Sequence, residues 1–236
     1  MNKEQNSLST TIHYIETFLE EHFGGKPAQL EITLRPPFLL VHLTGFLLPS
    51  EEILLEKGRA RQVRETRDIL VRSVKNELLK GFEDHLGLYT DDLYADWNLT
   101  KQNGLLIITL KKENDEPDFL WPQNVNQDTL KEIIILNSIR TQKQPDQTNF
   151  YWLNEYTLLI ERIGVLVDIE KQLIQNGITE ELRFAKRPLE YRIIELFNLQ
   201  SILKSPVEDL FVDWNFQKDV SYMVLLLKRD KSQKYR

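Results

Sequence analysis

The feature that most constrains this chain is that it repeats itself. Asp92-Leu-Tyr-Ala-Asp-Trp-Asn98 reads almost the same as Asp209-Leu-Phe-Val-Asp-Trp-Asn215. Residues 92–113 and 209–230 align without a gap at an offset of 117, with 8 identities in 22 pairs. Chance gives roughly one or two. A second block lies upstream, where Gly45-Phe-Leu-Leu-Pro-Ser-Glu51-Glu-Ile-Leu54 through Gly58 matches Gly164-Val-Leu-Val-Asp-Ile-Glu170-Lys-Gln-Leu173 through Gly177 at an offset of 119. Leu39-Leu40-Val41 pairs with Leu158-Leu159-Ile160 at the same offset. Two blocks in the same order and nearly the same spacing imply a duplicated unit. The second copy has lost two residues between them, near the end of its long helix.

The copies run over about residues 1–113 and 125–236. The segment 114–124 joins them and carries Pro117 and Pro122 among acidic residues, which marks a linker. Its Phe119, Leu120 and Trp121 are expected to tack it onto a domain surface. A length of 236 residues permits one large domain or two small ones, and the repeat selects two.

Within one copy the hydrophobic pattern gives helix, strand, strand, helix, strand, strand. Leu8, Ile12, Ile15, Phe18 and Leu19 share a helical face that ends at Gly24-Gly25. Leu30, Ile32 and Leu34 alternate as in a half-buried strand, and Phe38–Leu47 returns as its hairpin partner. A long helix then runs from Ser50 toward His85, with Val63, Leu70, Val74, Leu78 and Phe82 at helical spacing. Asp92–Thr100 and Leu105–Lys111 form a second hairpin around Asn103-Gly104.

The second copy repeats this order over about 127–139, 148–154, 156–166, 169–200, 208–216 and 221–229. Pro188 should kink or restart its long helix. Hairpin-connected strands imply an α+β fold, with an antiparallel sheet and helices on one face of it. Tandem copies are expected to pack as a pseudo-two-fold pair, like a homodimer made covalent, so that the chain is a monomer with pseudo-dimeric halves or a dimer of these.

Composition removes several functions. Lys and Arg total 30 against 36 Asp and Glu, a net charge of −6, which argues against non-specific nucleic-acid binding. There is no cysteine, hence no disulfide, thiolate metal site or Cys nucleophile. The four histidines, His13, His22, His42 and His85, all lie in the first copy without metal-ligand spacing. Asp91, Asp92 and Asp96 cluster at a strand start but do not follow a calcium-loop pattern. Phosphate-loop, dinucleotide and serine-elbow motifs are lacking. No catalytic residue, cofactor or metal is therefore expected. The N-terminus lacks signal-peptide character, and the longest apolar runs, such as Phe38–Val41 and Met223–Leu227, are far below a bilayer span. These features point to a cytoplasmic protein without a transmembrane segment.

Polar residues that recur in both copies are the candidate site: Glu51 with Glu170, Arg64 with Arg183, Arg67 with Lys186, and Trp97 with Trp214. Two readings of them stand. They are caps, ion pairs and core anchors, or they form a symmetric pair of pockets or docking surfaces. Duplication preserves both kinds of residue alike. The stretch Arg59 to Arg67 is interleaved with Glu56, Glu65 and Asp68, as on a salt-bridged solvent face.

Gly24-Gly25-Lys26-Pro27, Leu48-Pro-Ser-Glu51-Glu-Ile-Leu54, the Arg-rich helix that follows, and His85-Leu86-Gly87 before the Asp96 strand together resemble the MpsC family of a Na+-translocating membrane-potential-generating system. The likeness covers about residues 8–112. The second copy keeps Gly164, Glu170, Leu173 and Gly177 but lacks the Gly-Gly-x-Pro segment, and Pro49 stands where family members commonly carry Thr. The resemblance implies a soluble accessory protein linked to a membrane Na+ or inorganic-carbon transport system, and it does not imply catalysis; the leading expectation is a non-enzymatic interaction protein whose partner is a protein, such as a subunit of that system. The alternative is a small-ligand-binding or enzymatic protein with a pocket at the interface of the two copies.

Overall fold

The computed structural model describes residues 3–111 and 118–229. The ends of the two copies, 112–113 and 230–236, and residues 114–117 of the linker lie outside them. The chain divides into two compact units, residues 1–117 and 118–236.

The first unit runs α1 (Lys3–Phe23), β1 (Gln29–Arg35), β2 (Phe38–Thr44), α2 (Pro49–Glu56), α3 (Ala60–Leu86), β3 (Thr90–Asn98) and β4 (Asn103–Leu110). Its four strands form one antiparallel sheet in the order β1-β2-β4-β3. Strand alternation decides which side chains meet the helices. Leu39, Val41 and Leu43 of β2, Leu93, Ala95 and Trp97 of β3, and Leu106 and Ile108 of β4 pack with Ile15, Phe18 and Leu19 of α1 and Val63, Val74, Leu78 and Phe82 of α3. This cluster lies between one sheet face and the helices, and Phe38, Leu40, Leu105 and Ile107 on the other face are buried as well.

The second unit runs α4 (Gln127–Thr141), β5 (Gln147–Asn154), β6 (Thr157–Ile163), α5 (Asp168–Gln175), α6 (Thr179–Tyr191), α7 (Ile193–Leu196), α8 (Leu199–Leu203), β7 (Val207–Asn215) and β8 (Val220–Leu227). Its sheet order, β5-β6-β8-β7, is that of the first. Two like antiparallel sheets, each with its own helices, fit a duplicated α+β fold.

The helical segment expected from Ser50 to His85 is two helices. Gly58 adopts φ +70 between α2 and α3, and Gly177 adopts φ +79 between α5 and α6. That left-handed backbone closes one helix, since Gly lacks the Cβ that penalises it. The long helix of the second copy breaks further. Pro188 sits inside α6, which ends three residues later at Tyr191, and short α7 and α8 follow where α3 is continuous. A proline ring displaces the carbonyl one turn back and supplies no donor, so the ladder fails nearby.

In the linker, Phe119 meets the Tyr151 ring edge-on at 4.9 Å, and Trp121 packs against Phe150 and Trp152 at 5.6 and 6.2 Å. Leu120 remains 80 % exposed. Among the described residues no helix is long and apolar enough to cross a membrane.

Candidate functional site

In the first unit the candidate residues converge on one another. α2 begins just after Leu48, and the Glu51 carboxylate reaches back one turn to accept the Leu48 N–H at 2.9 Å, holding a backbone donor that the helix leaves unpaired. The same carboxylate takes two hydrogen bonds from Arg67 of α3, Nε to Oε1 at 2.7 Å and Nη2 to Oε2 at 2.5 Å. Arg67 Nη2 also donates to the Phe46 carbonyl at 2.8 Å. Its guanidinium lies 4.6 Å from the Trp97 ring centroid and 4.9 Å from that of Phe46. Arg67 is 1 % exposed. A planar fork suits this arrangement, because it bonds a carboxylate edge-on while its faces stack on aromatic rings.

The Trp97 indole lies flat over its register partner Gly104, where a Cβ would sit 2.5 Å from the ring. Arg64, one turn before Arg67, donates to the Trp97 carbonyl at 2.5 Å and stands 3.7 Å from Asp96. The Arg59–Arg67 stretch is therefore not one solvent face as expected. Arg61 pairs outward with Glu65 at 2.6 Å, while Arg64 and Arg67 turn toward β3. The helical period places residues three apart on one side, and that side faces the sheet.

The second unit repeats the arrangement with a weaker cation. Glu170 accepts the Val167 N–H at 3.1 Å and a hydrogen bond from Lys186 Nζ at 2.7 Å. Lys186 Nζ stands 5.8 Å from the Trp214 ring centroid. Burial pushes the Lys186 ammonium below the usual lysine range, and the Glu170 carboxylate opposes that shift. Arg183 pairs with Asp213, donates to the Trp214 carbonyl at 3.2 Å, and lies 5.0 Å from the Phe216 ring centroid.

All eight candidates thus occupy two equivalent clusters, and in each the charges are spent on partners within the unit. These clusters fasten the α2–α3 and α5–α6 corners to the third strand of each sheet. Of the other acids singled out, Asp92 pairs with Lys75. Among the described residues no group of three or more His, Asp or Glu side chains is placed to hold a metal ion.

One buried cluster carried no sequence signal when the copies were read separately. Arg162 of β6 and Glu190 of α6 form an ion pair at 2.9 Å, both fully buried. Glu190 also accepts from Asn137 at 3.0 Å and Gln142 at 2.9 Å, and Arg162 donates to Ser138 and Ser221, each at 3.1 Å. At the repeat offset of 119 the equivalents of Arg162 and Glu190 are the core residues Leu43 and Val71. Aligning the copies position by position through the core would have exposed this exchange.

A cavity of about 880 Å3 opens elsewhere in the second unit, between the β5–β6 turn, the α8–β7 loop and residues 122–125. None of the eight candidates lines it.

Residues 5–112 match the model of a family described as Na+-translocating membrane potential-generating system (MpsC). No curated protein and no solved structure matches the chain.

Proposed function

Since residues 5–112 belong to the MpsC family, we propose that this protein is a soluble, non-enzymatic accessory component of a Na+-translocating membrane-potential-generating system. It acts from the cytoplasmic side by contacting a membrane subunit of that system. The family match carries the reading. The site geometry supports it, because the recurring charges pair with partners inside each unit and none of these residues lines the cavity of about 880 Å3.

The test is recovery of the tagged full chain from native membranes, at low salt in a mild detergent, followed by mass spectrometry. The expected result is enrichment of a named Na+ or inorganic-carbon transport subunit over a mock tag. Recovery of soluble proteins alone would sink the reading.

A further inference from the structure

The cavity of the second unit has the composition of a ligand site, and it belongs to neither candidate cluster. Val125, Trp152, Leu203 and Leu227 give it an apolar lining. Its charged residues are Lys204, Lys228, Arg229 and Glu155, a local excess of two positive charges in a chain of net charge −6. Its volume, about 880 Å3, falls in the range of small-molecule sites. Trp152 is 5 % exposed, and among the described residues its indole N–H has no acceptor. The Trp97 and Trp214 indoles are in the same state, so this donor is a group for a ligand to engage and not by itself the mark of a site.

The backbone adds an independent observation. Lys204 ends α8 in the left-handed conformation, φ +57. Its counterpart at the repeat offset of 117 is Gly87, which ends α3 at φ +69. Gly adopts this conformation freely and Lys does not. The second unit therefore keeps a strained lysine at the cavity where the first uses the unstrained residue. Backbone strain of this kind concentrates at functional sites. Trp152 is likewise particular to this unit. The sheet register sets it where the first unit has Leu34, which is 39 % exposed.

We propose that this cavity binds a small organic anion, with an apolar body against Trp152, Leu203 and Leu227 and a carboxylate, phosphate or sulfonate head held by Lys204 and Lys228. The head meets the positive rim, and an acceptor on the ligand is available to the Trp152 indole.

The probe is anilinonaphthalene sulfonate, measured by equilibrium dialysis on the full chain, with neutral phenylnaphthylamine as its uncharged counterpart. One sulfonate probe should bind per chain, displaced by decanoate and bound at least about tenfold more tightly than the neutral compound. Lys204→Glu with Lys228→Glu should weaken the sulfonate by about tenfold or more while leaving the neutral compound unaffected. Lys204→Gly guards against loss of folding: it should melt at or above the parent temperature and still bind the sulfonate more weakly. Absence of saturable binding, equal affinity for the charged and neutral probes, or an unchanged affinity in the two lysine variants would each overturn the proposal. So would displacement by anionic phospholipid vesicles but not by decanoate, which would place the probe on an open surface.

Discussion

Arg67 and Lys186 hold equivalent places, yet they bear different physical burdens. Arg67 satisfies Glu51 through two hydrogen bonds and lies against the adjoining Trp97 and Phe46 rings. Arg67→Ala leaves the Glu51 carboxylate without its cation and opens space beside Trp97. It should cost about 3–5 kcal/mol in urea denaturation. Lys186 meets one carboxylate oxygen and is held below the usual lysine range by burial. The unfolded chain then binds more protons than the folded one between that lowered value and the usual lysine value of 10.5, so stability gains a contribution as pH rises through this window. Lys186→Met should remove that rise. The difference in unfolding free energy between parent and variant, followed from neutral pH to pH ~10, reads it directly; a flat difference would contradict the assigned cause. That these residue pairs recur was legible in the sequence. That they face inward was not, because Arg-rich helical stretches interleaved with acids are ordinarily solvent faces and only the packing of α3 on β3 distinguishes the two.

At the scale of elements, the strands and hairpins follow from alternation and turn residues, and the structure moves their bounds by a few residues. The helices depart further. The apolar period runs on across Gly58, so periodicity joined α2 to α3, whereas the positive φ at Gly58 separates them. Pro188 is exposed and makes the clearest test of element continuity. Pro188→Ala should restore the missing helical hydrogen bond and stabilise the second unit by about 1–3 kcal/mol. The melting temperature and helical circular dichroism should both rise. Loss of stability would mean that the α7–α8 path depends on the break.

For the molecule as a whole, the two units share topology and differ in what fills them. The first sets Leu43 and Val71 in its core where the second sets Arg162 and Glu190. A buried ion pair is costly to break and cheap to replace. Arg162→Leu alone or Glu190→Val alone should each destabilise by about 3–5 kcal/mol. The double variant, with the first unit's residues at both positions, should lie near the parent or above it. A double-mutant cycle by denaturant unfolding measures the coupling. Additive losses would mean that Asn137, Gln142, Ser138 and Ser221, left without their charged partners, dominate the outcome.

By itself the sequence determined the α+β class, the strand order along the chain and the recurrence of Glu, Arg or Lys, and Trp, because periodicity and recurrence are local properties that a linear reading preserves. It also carried the family likeness over the first copy, which the match to residues 5–112 shows. Tertiary structure alone decided that the recurring charges close upon each other, that the second core holds a buried ion pair, and that Trp152, Leu203, Lys204 and Lys228 surround one cavity. These depend on which side chains meet across 16 or more residues of sequence, and burial and pairing of that kind are set by packing and not by spacing.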